Sequence, residues 1–219
     1  VPMSSSGFIP GFQLDLRNPY LDPSLREFLR VNLDQDGNNL VPVNINRRLL
    51  DGGNRTSDQT RDFYRIVLGL KGALTDRLNW EVFYNQGENK IVDKQGGGVL
   101  IDNFANSFLT NPANPFDCAV ADPRCVTINP FGFGSLTPEM LAYISTDLTN
   151  ITNLKQRQIG GSVTGTLFSL PAGDVGISVG AEYRKESSQF DPDQLYVQGK
   201  ALSRSAGLSP TGGSFDVAE

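Results

Sequence analysis

Apolar and polar residues alternate with a period of two along four stretches of the chain, and two tight turns join the stretches into two hairpins. Successive side chains on a strand point to opposite faces, so each stretch predicts a β-strand with one apolar and one polar wall. From Gln156 to Ser169, Ile159, Val163 and Leu167 share a face with Gly161 and Gly165, opposite Gln158, Ser162, Thr164 and Thr166. After Leu170-Pro171-Ala172-Gly173-Asp174 the chain returns from Val175 to Glu186. There Val175, Ile177, Val179, Ala181 and Tyr183 oppose Ser178, Glu182, Arg184 and Glu186. The other hairpin runs from Arg61 to Leu74, turns at Thr75-Asp76-Arg77, and returns from Leu78 to Lys90. Tyr64, Ile66, Leu68, Leu70 and Leu74 oppose Arg65, Gly69 and Lys71; Leu78, Trp80, Val82 and Tyr84 oppose Asn79, Glu81 and Asn85. Val41 to Asn54 is a further candidate strand, with Val43, Ile45, Arg47 and Leu49 against Asn44, Asn46 and Arg48.

Between these stretches the pattern changes. Residues 1–40 read as a long loop with one helix, capped by Asp22, opened by Pro23 and carrying Leu25, Phe28 and Leu29 at helical spacing. Residues 93–153 read as a second long loop. Its helix starts at Thr137-Pro138-Glu139 and shows a stripe of Leu141, Ile144 and Leu148. Residues 191–214 form a third loop, and Phe215 to Glu219 begins another strand. Strands are thus expected over about 41–92 and 154–190, with short turns at one end and long loops at the other. This loop asymmetry, with strands apolar on one face only, predicts an all-β fold: antiparallel strands of a transmembrane β-barrel, about 4–5 of them, with long extracellular loops carrying short helices. The whole of 1–219 is read as a piece of one such barrel domain.

On that reading Ile66, Leu68, Leu70, Trp80, Val82, Tyr84, Val163, Leu167, Ile177, Val179 and Tyr183 face lipid. Trp80 lies near a turn, where an aromatic belt meets headgroups. Arg65, Lys71, Glu81, Glu182, Arg184 and Glu186 face the lumen, either as a solvated wall with ion pairs or as a polar lining for substrate or plug. The rival architecture is an exported soluble β-sandwich module that binds a ligand and buries the same rows against a second sheet.

Composition narrows the chemistry. The chain is 38% hydrophobic with a mean hydropathy of −0.26, and no run approaches the ~18 apolar residues of a membrane helix. A net charge of −5 without a basic cluster argues against nucleic acid as a partner. There is no histidine, which removes the commonest general base and metal ligand, so neither an enzyme, a metal nor a cofactor is expected. Cys118 and Cys125 are either separate thiols or, in an exported chain, a disulfide closing a short loop. Asp34, Asp36 and Asn38 imitate the start of a calcium loop but lack its closing glutamate, which leaves a plain polar turn as the alternative. Phe104, Phe108, Phe116, Phe131 and Phe133 either reach a ligand or pack the core of their own loop.

Several segments, in order, are similar to the β-barrel region of TonB-dependent outer-membrane receptors. They are Tyr64-Arg65-Ile66-Val67-Leu68-Gly69-Leu70-Lys71-Gly72 leading into Leu78-Asn79-Trp80-Glu81-Val82; Ile128-Asn129-Pro130-Phe131-Gly132, followed by Ser135 to Ile144; Leu167 to Gly173 with Val179 to Arg184; and the terminal Phe215 to Glu219. The resemblance covers roughly residues 20–219. It implies a parent barrel of about 22 strands around a globular plug. It also implies a bacterial outer-membrane location, and uptake of an iron chelate, cobalamin or carbohydrate. The partners it implies are outer-membrane lipid, the TonB complex acting through the plug region, and a small-molecule or oligosaccharide substrate. No plug, TonB box or aromatic-ended closing strand is recognised here, so an internal slice with two unpaired edges is expected.

Overall fold

A computed structural model of the chain describes residues 4–5, 12–43, 47–202 and 208–219. In chain order the strands are β1 (Ser4–Ser5), β2 (Gln13–Asp15), β3 (Leu40–Pro42), β4 (Arg47–Arg48), β5 (Thr56–Thr75), β6 (Leu78–Leu100), β7 (Thr110–Asn111), β8 (Asn114–Cys118), β9 (Ser145–Leu170), β10 (Gly173–Asp191), β11 (Ala201–Leu202) and β12 (Thr211–Ala218). The helices are α1 (Pro23–Leu33), α2 (Ile101–Asn106), α3 (Pro138–Ile144) and α4 (Gln194–Val197). No helix among the described residues is long and apolar enough to cross a membrane.

The chain divides into two compact units. One comprises residues 1–58, 94–149 and 193–209, and the other residues 59–93, 150–192 and 210–219. The second unit is a sheet in the order β5-β6-β9-β10-β12, and β11 pairs with the far end of β6. The long strands contain 20, 23, 26 and 19 residues, well beyond the usual 3–10 of globular sheets. Two-residue turns, Asp76–Arg77 and Pro171–Ala172, join β5 to β6 and β9 to β10. β10 runs antiparallel to both β9 and β12, with Tyr183 opposite Ile159 on one side and Ala218 on the other. The sheet does not close: among the described residues β5 and β11 flank β6 at one edge and β12 forms the other.

The register carries one irregularity. Gly176 faces Thr166 but Val175 faces Phe168, so Leu167 is an extra residue, a bulge near the turn. Close by, Gly165 has φ +153°, and Thr166 N donates to the Arg77 carbonyl at 3.0 Å; any Cβ at Gly165 would collide with that carbonyl.

In the first unit a single cluster gathers Phe12, Leu14, Leu16, Val41, Phe104, Phe108, Ile128, Met140 and Ile144 with several other buried residues. Phe12, Phe104 and Phe108 pack ring against ring, with centroids 4.6–6.0 Å apart. Asp22 and Thr137 cap α1 and α3 as expected: the Asp22 carboxylate accepts from Ser24 N, and Thr137 Oγ1 from Met140 N. Cys118 and Cys125 form a disulfide with Cα atoms 5.8 Å apart.

Several expected boundaries move. Residues 93–153 are not loop throughout, because β6 continues to Leu100 and β9 already begins at Ser145. Gly98 makes this possible: a Cβ there would lie 2.9 Å from the Thr146 carbonyl, so the glycine that reads as loop is where two backbones meet. Leu148 belongs to β9 rather than to α3, which ends when Ser145 turns extended. Leu148 packs with Tyr196 and Ala201 instead. The single strand expected over Val41–Asn54 is absent, since β3 stops at Pro42 and a 3-10 turn occupies Leu50–Gly52; residues 44–46 lie outside the described residues. Proline has no N–H to extend a ladder. Residues 1–40 hold β2, antiparallel to β3, besides the helix, and the 191–214 loop holds α4, β11 and the start of β12.

Candidate functional site

Register and hydrogen bonds sort the second unit into two walls. In the apolar wall Ile159 faces Tyr183, Val163 faces Val179, and Gly165 faces Ile177. Alternation adds Ile66, Leu68 and Leu70 on β5, and Trp80, Val82 and Tyr84 on β6. Ile66, Leu68, Leu70, Val82, Leu167, Val179 and Tyr183 are exposed, while Trp80, Tyr84, Val163 and Ile177 are half-buried. The Trp80 indole lies across Gly72, where a Cβ would be 3.0 Å from Nε1. Every buried apolar side chain among the described residues with a core assignment falls within the first unit; Val99 of β6, Leu148 of β9 and Ala201 of β11 belong to it through the strand segments that unit includes.

The opposite wall is a hydrogen-bonded belt. Arg65 Nε donates to Asn85 Oδ1 at 2.8 Å, and Asn85 Nδ2 donates to Gln158 Oε1 at 3.1 Å, which links β5, β6 and β9. Asn85 is only 2% exposed. Gln158 faces Arg184 across β10, and Gln156 Nε2 donates to Glu186 Oε1 at 3.1 Å. Arg184 Nε lies 3.3 Å from the Glu186 carboxylate as an ion pair without hydrogen-bond geometry. Glu182 occupies the same wall, paired through its backbone with Glu219. Lys71 and Glu81 join it by alternation. Of the six polar residues expected on this face, Arg65, Arg184 and Glu186 take part in these side-chain contacts.

The sequence pattern misses the apolar residues of this polar wall. Beyond the belt, Phe63, Leu154 and Phe215 line an open groove of about 630 Å³ together with Arg65, Gln156 and Glu186. Phe63 and Phe215 are exposed, and Phe215 enters because β12 places it opposite Glu186. Two rings and an aliphatic side chain beside an amide, a guanidinium and a carboxylate suit a partner with both an apolar face and hydrogen-bonding groups. The available signal was Phe63 preceding Arg65 on the polar parity of β5; Phe215 needed the pairing of β12.

The other candidates resolve differently. Asp34 and Asp36 accept backbone N–H groups of Asn39 and Asn38, and Asn38 Oδ1 accepts Leu40 N, so these side chains tie a polar turn. Among the described residues no three histidine, cysteine or carboxylate side chains are placed to hold a metal. Phe104 and Phe108 are core, whereas Phe116, Phe131 and Phe133 are exposed.

No family model, curated protein or solved structure matches the chain.

Proposed function

We propose that the long-strand sheet is a section of membrane-crossing barrel wall in a TonB-dependent outer-membrane receptor that takes up a nutrient such as an iron chelate, cobalamin or carbohydrate. What supports the reading is the exposed apolar wall. The sheet displays exposed aliphatic and aromatic rows over residues 59–93 and 150–192, while the residues of the chain's buried cores fall within the first unit. A soluble sheet of this size would bury such a face. The apolar stretches, Tyr64 to Leu74 and Val175 to Tyr183, fit the roughly 9–11 residues of a tilted membrane strand. On this reading the polar belt faces the lumen, and the Phe63–Leu154–Phe215 groove contacts plug or passing substrate.

Two measurements on the full-length protein test the proposal. Removal of detergent from the purified protein is expected to aggregate it; a monodisperse protein in plain buffer would leave the exported β-sandwich binding module as the better reading. Radiolabelled ferric chelate, cobalamin and maltooligosaccharide are then offered to cells with and without an active TonB complex. Accumulation of one of them only when TonB is active is the expected result. Loss of that dependence would remove the receptor assignment while leaving the membrane wall.

A further inference from the structure

The apolar wall ends at a cationic border. One step past the Ile159–Tyr183 pair on the same face, Arg157 stands directly opposite Lys185. Like charges directly opposite on neighbouring strands destabilise a sheet. Lys185 is partly compensated, its Nζ 3.7 Å from Asp216 Oδ1, and one step further Lys155 Nζ is 3.3 Å from Glu88 Oε1. Glu88 also accepts the Tyr64 hydroxyl at 2.8 Å and feels Lys90. Arg157 is exposed and has no ion-pair partner among the described residues. Lys90, Lys155, Arg157 and Lys185 thus gather around two carboxylates, in a chain whose overall charge is negative. Asp62 on β5 shares the face by alternation, but no ion pair joins it to these four. The arrangement is repulsive as it stands and would be relieved by an anion seated between Arg157 and Lys185.

We propose that this border binds the phosphate of a membrane-lipid headgroup, with the acyl chains lying along the Ile159–Tyr183 and Val163–Val179 pairs. The proposal rests on the membrane-wall reading. Charge complementarity selects the phosphate, and the adjoining apolar rows select a lipid over a free anion. A guanidinium and an ammonium on neighbouring strands span the oxygens of one phosphate, and Arg157 supplies the planar fork suited to it.

The test uses full-length protein in neutral maltoside micelles doped with equal amounts of phosphatidic acid and phosphatidylcholine, with retained lipid counted by native mass spectrometry. Phosphatidic acid is expected to be retained preferentially. Arg157→Ser with Lys185→Ser should cut that preference by about 30-fold, the loss of two cations next to an anionic surface. Arg157→Lys with Lys185→Arg should keep it, which separates charge from folding damage. Equal retention of the two lipids, or a preference unchanged in the serine variant, would overturn the proposal. So would displacement of phosphatidic acid by equimolar inorganic phosphate, which would make the ligand a free anion. Quenching of Trp80 fluorescence by brominated phosphatidylcholine, read against Trp80→Phe, is recorded on the same samples. Quenching without phosphatidic-acid preference defeats only the lipid-phosphate site; no quenching and no retention of either lipid defeats the membrane wall as well.

Discussion

The Phe83 ring lies over Gly160: a Cβ at that glycine would stand 2.7 Å from the ring's Cε1 and Cζ. Gly160 faces Glu182 on the polar wall, so an aromatic side chain crosses a row that is otherwise polar. The bare glycine is what lets the ring lie flat against the strand, a device that compensates glycine's weak strand propensity. Gly160→Ala should destabilise the sheet, and Phe83→Ala should relieve part of that cost. A double-mutant cycle is expected to return a coupling of about 0.5–3 kcal/mol in urea unfolding from detergent. Additive effects would mean that the ring and the glycine do not depend on each other.

Val67 and Leu68 separate the two walls by one residue. They are similarly exposed, at 57% and 63%, so exposure gives no reason for them to respond differently to a charge. Under the membrane-wall proposal Leu68→Arg places a charge at the lipid face and should cost ~2–4 kcal/mol, while Val67→Arg on the polar wall should change stability by less than about 0.5 kcal/mol. Folded yield by heat-modifiable electrophoresis measures both. Equal losses would remove the face assignment.

Periodicity made the hairpins legible because a period of two survives wherever one face differs from the other. The places of both turns and the parity of Leu68, Trp80, Val179 and Arg184 followed from it, although the turns are tighter than the three and five residues expected. The same logic failed at the strand ends. Gly96, Gly97 and Gly98 carry no side chain to alternate, so β6 vanishes from the pattern there although its backbone continues. The bulge at Leu167 was equally invisible, since an extra residue leaves the local composition unchanged. Helix starts were readable from Asp22-Pro23 and Thr137-Pro138, where capping chemistry is local. The end of α3 was not, because the Leu141, Ile144 and Leu148 spacing fits a helix while Leu148 finds its partners, Tyr196 and Ala201, far along the chain. The groove was hidden for the same reason: Phe63, Leu154 and Phe215 come from three separate strands.

The Cys118–Cys125 bridge closes a short loop whose backbone is otherwise held by few ladder bonds, among them the isolated Asp117–Val126 bridge. Chain-entropy arguments give a loop of this length a stabilisation of roughly 2–3 kcal/mol. Cys118→Ser with Cys125→Ser is expected to raise hydrogen exchange across residues 107–128 while leaving β9 and β10 protected. Because both cysteines are buried, reduction should follow local opening rather than direct attack. Unchanged exchange in the variant would show that the surrounding core already fixes the loop.

Asp15 is a buried carboxylate, 1% exposed, held by Arg17 Nε at 2.9 Å, Arg17 Nη2 at 2.7 Å and Thr110 N at 3.3 Å. Burial alone, the largest single influence, raises its pKa. The hydrogen bonds from Arg17 and Thr110 together outweigh burial, so the net shift is downward. An acid whose folded pKa lies below its unfolded value stabilises the fold fully above the unfolded value, near pH 4, and loses that contribution as pH falls through the folded value. Exchange of the 12–18 and 107–111 amides should therefore be flat in intrinsic-rate-corrected terms from pH 7 to about pH 5 and rise at lower pH. Asp15→Asn should lose about 1–3 kcal/mol at neutral pH, because Arg17 and the Thr110 amide lose a charged acceptor. The variant should also lack the acid-dependent rise. A variant that kept the full rise would assign the acid sensitivity of this segment to another carboxylate.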